Sequence, residues 1–304
     1  MKNAIKVICF VLVVLIAGIG GGYVYFTWDI GEYETTEGSK AGTVIITKYI
    51  GEETDVVIPN RLRGKKVVAI NGSAFRNNKE ITSVKFNDYI VSVGINAFQG
   101  CDKLTSVDMG KSVQSIDNNV FSNCPELTEV KFSPALEKLG HGLFGNDKKL
   151  LTIDINGNEN FKFEDGVLYS SDMTTIYETL ASADLSNYVC PDTVVNLNGY
   201  AFYSQDELTS VKLNDGLKTI NEGTFLGCKS LKELDIPDSV TSIGTVILAE
   251  SGIDTVKIPA SVIKIDDNAF YQAENQITIV TTENSAAAKY AEKKHIKLTI
   301  VDSL

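Results

Sequence analysis

Apolar residues recur along this chain with a fixed period. Phenylalanine returns every 23 residues in two runs, with one position taken by leucine and a last interval of 22. The members are Phe75, Phe98, Phe121 and Phe144, followed by Phe202, Phe225, Leu248 and Phe270. An apolar residue lies five positions before each phenylalanine, as Ile116 lies before Phe121. The same residue types therefore return at the same positions, which indicates a repeat architecture.

A second element follows each phenylalanine after a short turn. It reads L-x-x-V-x-[I/F/M], as in Leu104 to Met109 and Leu127 to Phe132. Apolar residues two apart point to one side of a β-strand, so this element is predicted to be a short strand. A period in the low twenties is too short for two packed helices and is typical of a solenoid coil. One coil cannot bury its apolar residues alone, so we expect the coils to stack over a continuous core.

The repeated [IV]-x4-F, the small residue three positions later and L-x-x-[IV]-x-I-P resemble the leucine-rich repeats of BspA-type surface proteins. The resemblance extends over residues 43–301. It implies a mainly β repeat solenoid with a C-terminal cap at 275–304, in which a helix over Ser285 to Lys294 precedes a last strand. It also implies adhesion or binding at a cell surface.

The interval from Phe144 to Phe202 is 58 residues, so an insert over residues 156–196 interrupts the array. Within it, residues 167–169 and 175–177 are predicted to pair as a hairpin. The insert either protrudes from the solenoid or extends one coil.

The N-terminal region has a different pattern. Val7 to Phe26 is a run of 20 residues without charge, which as a helix would span about 30 Å, the thickness of the hydrocarbon core. Lys2 and Lys6 precede this run and acidic residues follow it, which places the N-terminus in the cytoplasm and the rest outside. We expect residues 1–26 to be a single-pass anchor, with a cleaved signal peptide and a secreted product as the alternative. The acidic segment 27–42 is expected to be a linker, which leaves 43–304 for the solenoid.

Composition narrows the classes of partner. The chain is 43% hydrophobic and 22% charged, which excludes a wholly disordered protein. Its formal net charge of −11 argues against nucleic acid and against electrostatic docking on anionic lipid, because both need clustered Lys and Arg. Membrane contact is therefore expected through Val7 to Phe26.

One column of residues beside the central strand position alternates in charge from coil to coil. In a parallel stack these side chains would lie about 4.8 Å apart, where opposite charges attract. We expect the column to favour this register of the coils, or to present a polar surface to a partner. Its members are Lys85, Asp108, Lys131 and Asp154, then Lys212, Asp235 and Lys257.

Tyrosines are the second group of candidate binding residues, because tyrosine is enriched at interface hot spots. Tyr169, Tyr177 and Tyr188 lie in the insert and are expected to include exposed contacts as well as core residues. Three further tyrosines lie near the phenylalanine turns, at Tyr200, Tyr203 and Tyr271.

Cys101, Cys124 and Cys228 occupy one repeat position, three residues after phenylalanine. We expect small buried residues there. Cys101 and Cys124 lie in adjacent coils with Cα atoms about 5 Å apart, so a disulfide between them is geometrically feasible. C-x2-C spacing is absent from the sequence and histidine is scarce, so no metal site is expected.

Asp154 to Asp165 matches part of a calcium loop but lacks Gly at position 6 and Glu at position 12, which favours an ordinary polar loop. The sequence contains no G-x-S-x-G, H-E-x-x-H or P-loop motif, so we expect neither catalysis nor a cofactor. The leading hypothesis is a non-catalytic, membrane-tethered surface protein that binds a protein or another macromolecule. The alternative is a structural component of the envelope or of a membrane complex. The oligomeric state stays open.

Overall fold

The computed structural model describes residues 32–304, which form a solenoid. A regular coil contributes one strand of three residues and one strand of two residues, joined by turns. The three-residue strands stack in parallel in what we call the front sheet, and the two-residue strands stack in the back sheet. The expected mainly β repeat solenoid is confirmed.

The strands before the insert are β1 (Tyr33–Glu37), β2 (Thr43–Tyr49), β3 (Asp55–Val57), β4 (Arg61–Leu62), β5 (Lys65–Ile70), β6 (Ser83–Lys85), β7 (Ser92–Val93), β8 (Ser106–Asp108), β9 (Ser115–Ile116), β10 (Glu129–Lys131), β11 (Lys138–Leu139) and β12 (Thr152–Asp154). The insert contains β13 (Phe161–Glu164), β14 (Val167–Ser170) and β15 (Thr175–Thr179). The elements that follow are β16 (Asn187–Val189), β17 (Asn196–Leu197), β18 (Ser210–Lys212), β19 (Thr219–Ile220), β20 (Glu233–Asp235), β21 (Ser242–Ile243), β22 (Thr255–Lys257), β23 (Lys264–Ile265), β24 (Thr278–Thr282), α1 (Ala286–Lys294) and β25 (Lys297–Val301).

Before the insert, the front sheet runs β3-β6-β8-β10-β12 and the back sheet runs β1-β2-β5-β7-β9-β11. The central residue of each front strand is buried, and its two neighbours point outward because side chains alternate along a strand. Neighbouring strands pair in register, for example Val107 with Val130. The outward residues of successive coils therefore form straight columns.

The repeated phenylalanines form a buried ladder along the axis of the solenoid. The ring centroids of Phe75 and Phe98 are 4.6 Å apart, and those of Phe98 and Phe121 are 5.5 Å apart, with the rings nearly parallel. Phe121 and Phe144 continue the stack at 5.9 Å. Offset stacking of aromatic rings adds to the hydrophobic gain of burial. The 23-residue period thus has a direct structural cause, which is the repeated contact of identical side chains.

The cysteines beside this ladder are free thiols. Cys101, Cys124 and Cys228 are fully buried, as expected for this repeat position. Each thiol donates a hydrogen bond to a phenylalanine carbonyl of the preceding coil, at 3.3, 3.3 and 3.1 Å respectively. At these three positions a small buried thiol is therefore the donor, and no disulfide joins Cys101 to Cys124 in the described chain.

The insert interrupts both sheets. β14 pairs antiparallel with β13 and with β15, so the expected hairpin is confirmed and has one additional strand. β15 pairs in parallel with β17, and the chain re-enters the array through this contact. Leu168 packs into the core cluster of the first half, whereas Val167 and Tyr169 pack into that of the second half. The insert, residues 156–196, therefore contributes side chains to both core clusters, and we call it the wedge.

The segment expected to be a linker, residues 27–42, contains β1. This strand pairs antiparallel with β2, and Tyr33 is buried with its ring centroid 5.2 Å from that of Tyr49. The acidic composition of the segment obscured this strand, which covers an apolar edge that the first coil would otherwise expose. From Tyr33 onward the segment belongs to the solenoid rather than to a linker.

The C-terminal cap agrees with expectation. Ser285 is the N-cap of α1 and accepts a hydrogen bond from the Ala288 amide at 3.0 Å. Ala287 and Ala291 on the helix are fully buried, so α1 covers the last coil before β25 ends the sheet. The predicted membrane segment Val7–Phe26 lies outside the described residues. Within 32–304, no helix has the length and apolar character needed to cross a membrane.

Candidate binding surface

The alternating charge column lies on the outward side of the front sheet, which we call the front face. Lys85 is in register with Asp108, Asp108 with Lys131, and Lys131 with Asp154. The Lys85 Nζ lies 3.7 Å from the nearest Asp108 carboxylate oxygen. Within residues 32–304, no ion pair shorter than 4.0 Å involves Lys131. The column is thus aligned as expected, but the Lys85–Asp108 ion pair is long and exposed to solvent.

The same column resumes after the insert in two separate sheets. Lys212 pairs with Val189 in the β16–β18 sheet, whereas Asp235 pairs with Lys257 in the next sheet. The Lys257 Nζ lies 3.0 Å from Asp235 and also contacts Glu233. Hydrogen bonds to Glu233 and then to Asp235 raise the pKa of Lys257. The alternation is therefore continuous only within each sheet.

Exposed valines begin both parts of the column. Val57 lies before Lys85 and is 67% exposed, and Val189 lies before Lys212 and is 64% exposed. The front face consequently combines charged and apolar contact groups at fixed spacing.

A second outward column lies on the other side of the buried strand centres, and sequence reasoning missed it. Asp55 begins it and accepts hydrogen bonds from the Ser83 and Thr82 hydroxyls at 2.7 and 3.0 Å. These bonds, the Ser83 bond first, lower the pKa of Asp55. The same 23-residue spacing would have found its later members, Ser83, Ser106, Glu129 and Thr152.

A threonine ladder borders this column. The Thr105 hydroxyl donates to the Thr82 carbonyl at 2.8 Å, and the Thr128 hydroxyl donates to the Thr105 carbonyl at 3.1 Å. Leu151 follows Thr128 at the next position of the repeat and is 71% exposed. The polar margin of the front face is therefore interrupted where the insert begins.

Another charge ladder, which sequence reasoning also missed, lies on the turns that precede the front strands. Lys103 contacts Glu80 at 2.8 Å, and Lys149 contacts Glu126 at 2.6 Å. The four residues are spaced by 23 and alternate in sign. The charged side chains of these turns are about as exposed as those of the front face, so variants there can serve as a control for front-face variants.

The insert tyrosines are not exposed contacts. Tyr169 is buried, and its hydroxyl lies 2.8 Å from the hydroxyl of Tyr188. Tyr188 packs edge-on against Phe202, and Tyr177 packs edge-on against Phe161. Burial raises the pKa of all three phenols. Tyr177 thus packs with the core cluster of the first half, and Tyr169 and Tyr188 pack with that of the second half, so none of the three is a fully exposed contact.

The partial calcium loop is also a packing feature. The Asn158 side-chain amide donates to the Ser133 and Leu136 carbonyls at 3.0 and 2.8 Å, and Asn160 donates to the Leu136 carbonyl at 2.9 Å. Both amides therefore hold the loop against the preceding coil. No cluster of three His, Cys, Asp or Glu suited to a metal ion occurs between residues 32 and 304.

The model of the BspA type leucine rich repeat region matches residues 54–175 and 177–277 in six copies. These ranges cover most of the chain, and the protein therefore belongs to the BspA-type leucine-rich repeat family. No sequence match to a curated protein was found.

The solved structures that share this fold include the following two. The pneumococcal vaccine antigen PcpA is 15% identical, with a TM-score of 0.57 over 89% of this chain and 96% of that chain. A leucine-rich repeat protein from Eubacterium ventriosum is 18% identical, with a TM-score of 0.57 over 79% of this chain and 80% of that chain. At these identities the likeness concerns the fold alone.

Proposed function

We propose that this protein is a non-catalytic cell-surface receptor or adhesin whose front face binds a protein or another macromolecule. The observation that carries the proposal is the front face itself. Its outward side chains are not used by the core, and in-register strands hold them at fixed spacing. Repeat solenoids offer extended surfaces of this kind, and membership of the BspA-type family supports a binding role.

The composition of the front face fits a macromolecular partner. Lys85, Asp108 and Lys131 supply both signs of charge, and Leu151 and Val189 supply exposed apolar area. Protein interfaces use both apolar and polar side chains. The tyrosines of the insert have no part in this proposal.

The location is part of the same proposal. Residues 1–26 anchor the chain in a membrane with the solenoid outside, or are removed to give a secreted form. Protease treatment of intact cells tests the topology, since an external solenoid is digested while the cytoplasmic N-terminus is protected. Resistance of the solenoid in intact cells would contradict it.

The binding role is tested by capture with the full chain in detergent. Extracellular-matrix or host-surface proteins form one set of potential partners, and the producing cells' own envelope extract forms the other. A front-face variant (Lys85→Gln, Asp108→Asn, Lys131→Gln) is compared with a control on the turns that precede the front strands (Lys79→Gln, Asp102→Asn, Lys103→Gln). On these turns Lys79 pairs with Asp102 at 2.7 Å, beside the Lys103–Glu80 pair. Both variants lose two lysines and one aspartate.

We expect a partner from the first set to be lost with the front-face variant and kept with the control. Equal loss with both variants would indicate non-specific charge binding and contradict the proposal. Capture only from the envelope extract would support the alternative, a structural component of the envelope or of a membrane complex.

A further inference from the structure

The front sheet of the second half ends in an open strand. β25 (Lys297–Val301) pairs in parallel with β24 along its whole length, and within residues 32–304 no strand pairs with its other side. The outer edge of β25 therefore presents unpaired backbone groups. An exposed edge of this kind is a template for pairing with another chain.

The direction of the backbone bonds identifies the unpaired groups. In β24, the Thr278 amide and the Val280 carbonyl bond to residues that flank β22. Backbone groups alternate in direction along a strand, so residues 279 and 281 of β24 bond to β25, through residues 297, 299 and 301. The N–H and C=O groups of Leu298 and Ile300 therefore point toward the open edge.

The side chains of Leu298 and Ile300 are also incompletely covered. They lie in register with Ile279 and Thr281 of β24, which are fully buried. Leu298 is half-buried and Ile300 is 47% exposed, because within residues 32–304 no further coil packs on them. The open edge thus combines free backbone donors and acceptors with apolar side chains.

The strands at the N-terminal end of the solenoid are protected in ways that β25 is not. β3 has three residues, carries Asp55 and is followed by Pro59. β1 carries Glu34 and Glu37. Short strands, charged side chains and proline are features that prevent pairing at an edge. β25 has five residues, no proline, and apolar side chains at the two positions that bond outward.

We propose that β25 pairs antiparallel with β25 of a second copy of this chain, about a two-fold axis at Thr299. In this register Leu298 lies opposite Ile300 of the second copy, and the two residues exchange N–H···O=C bonds. Thr299 lies opposite Thr299 of the second copy in a close pair without backbone bonds, and paired threonines stabilise a sheet. Lys297 lies opposite Val301, so no like charges meet.

The symmetry of the edge is the reason to assign it to a second copy. The outward-bonding residues lie one on each side of Thr299, so a single two-fold register satisfies all of their backbone groups. Closed two-fold pairs are the commonest oligomers of soluble proteins. Pairing of β25 with β3 would instead be head-to-tail and would leave an open edge at each end of every assembly.

The pairing has a consequence for cell contact, which rests on the location proposed above. The coils stack in chain order, so β25 lies at the end of the described solenoid opposite to β1. Two copies joined through β25 therefore carry their N-terminal ends at the far ends of the pair. With an N-terminal anchor, such a dimer joins two facing membranes.

Cysteine cross-linking of the full chain in detergent tests the register. Thr299→Cys brings two thiols together at the two-fold axis, where the Cα atoms are about 4.5 Å apart and a disulfide can form. Lys297→Cys is the matched control on the same face of β25, because its thiols would be about 14 Å apart. Mass spectrometry identifies the linked residues, so that native cysteines are not counted.

After mild oxidation we expect at least about tenfold more linked dimer with Thr299→Cys than with Lys297→Cys. Equal cross-linking of the two variants, or none in either, would overturn the proposal.

Ile300→Lys tests whether the edge holds the dimer together. The added charge lies opposite Leu298 of the second copy and occurs twice in a symmetric dimer, so we expect the dissociation constant to rise at least about tenfold. Ile263→Lys is the matched control, since Ile263 is 77% exposed and precedes β23 in the back sheet. Sedimentation over a range of chain concentrations measures both variants. One strand pair buries little area, so the wild-type dimer should be weak, with a dissociation constant of about 1 μM or above.

Thermal unfolding of Ile300→Lys should match that of the wild type, which shows that the variant is folded. A wild type that stays monomeric at millimolar concentration, equal dimerisation of the two lysine variants, or growth beyond two chains would overturn the proposal. The front-face variant described above should dimerise as the wild type does. A failure of front-face binding is therefore distinguishable from a failure of the β25 contact.

Discussion

The regular coils and the contact between the insert and the coil of Phe144, which we call the joint, pair the same backbone amides with different acceptors. In a regular coil, the amide of Phe98 bonds to the Val120 carbonyl of the next coil at 2.9 Å. At the joint, the corresponding amide of Phe144 bonds to the Glu178 side chain. Buried amides must be paired, so a break in the period requires a side chain to replace a backbone carbonyl. The comparison shows that, where the repeat continues, a carbonyl of the next coil accepts this hydrogen bond and no buried carboxyl group is required.

The two regions also differ in how their cores are continued. Regular coils place identical rings in contact, whereas β14 divides its side chains between two clusters. We therefore expect substitutions in the two regions to change the stability of the protein by different amounts.

The largest effect is expected in the regular array. Phe121→Ala removes a fully buried ring that stacks on two neighbours, and we expect a loss of about 3–5 kcal/mol in the free energy of unfolding. Denaturant unfolding measures it. Tyr271→Ala is the control, because this ring is 52% exposed and its loss should change stability by less than about 0.5 kcal/mol. Equal losses of stability in the two variants would show that the stacked phenylalanines do not stabilise the core.

The next effect is at the joint and changes with pH. Glu178→Gln leaves one of the two amides facing an NH2 group, so at pH 5 we expect it to cost about 1–3 kcal/mol. At pH 9 the wild type must keep or expose an ionised, buried carboxylate, whereas the variant carries no charge. The difference should shrink or reverse between these pH values in denaturant titrations. A constant difference would show that Glu178 does not titrate in this range.

A smaller effect is expected from the hydroxyl pair inside the wedge. Tyr169→Phe removes one partner of the 2.8 Å bond to Tyr188, and we expect a loss of about 0.5–1.5 kcal/mol. Tyr271→Phe, at an exposed ring, should have no measurable effect. No loss in Tyr169→Phe would mean that water replaces the missing partner.

The smallest effects are expected on the front face. Double-mutant cycles to alanine should give coupling energies of about 0–1 kcal/mol for Lys85–Asp108 and for Asp235–Lys257. The second pair, at 3.0 Å rather than 3.7 Å, should couple more strongly, and salt should weaken both. A coupling above this range would mean that the column is a major source of stability rather than an aid to register.

Much of the fold could be predicted because its contacts repeat. The spacing of Phe98 and Phe121, the column of Lys85 and Asp108, and the burial of Cys124 all follow from one period applied to one strand pattern. Departures from the period were harder to predict. Acidic residues around Tyr33 concealed an edge strand, and Tyr169 gave no local sign that its hydroxyl meets Tyr188.

The sequence by itself determined the family, the solenoid, the register of its coils and the position of the insert. Each of these depends on residues that lie a fixed number of positions apart and therefore meet in neighbouring coils. The tertiary structure alone decided which tyrosines are buried, and it brought Glu178 to amides 34 and 35 residues away. Those contacts arise where the period fails, because there the partner of a buried group is set by how the chain returns to the array and not by a repeating interval.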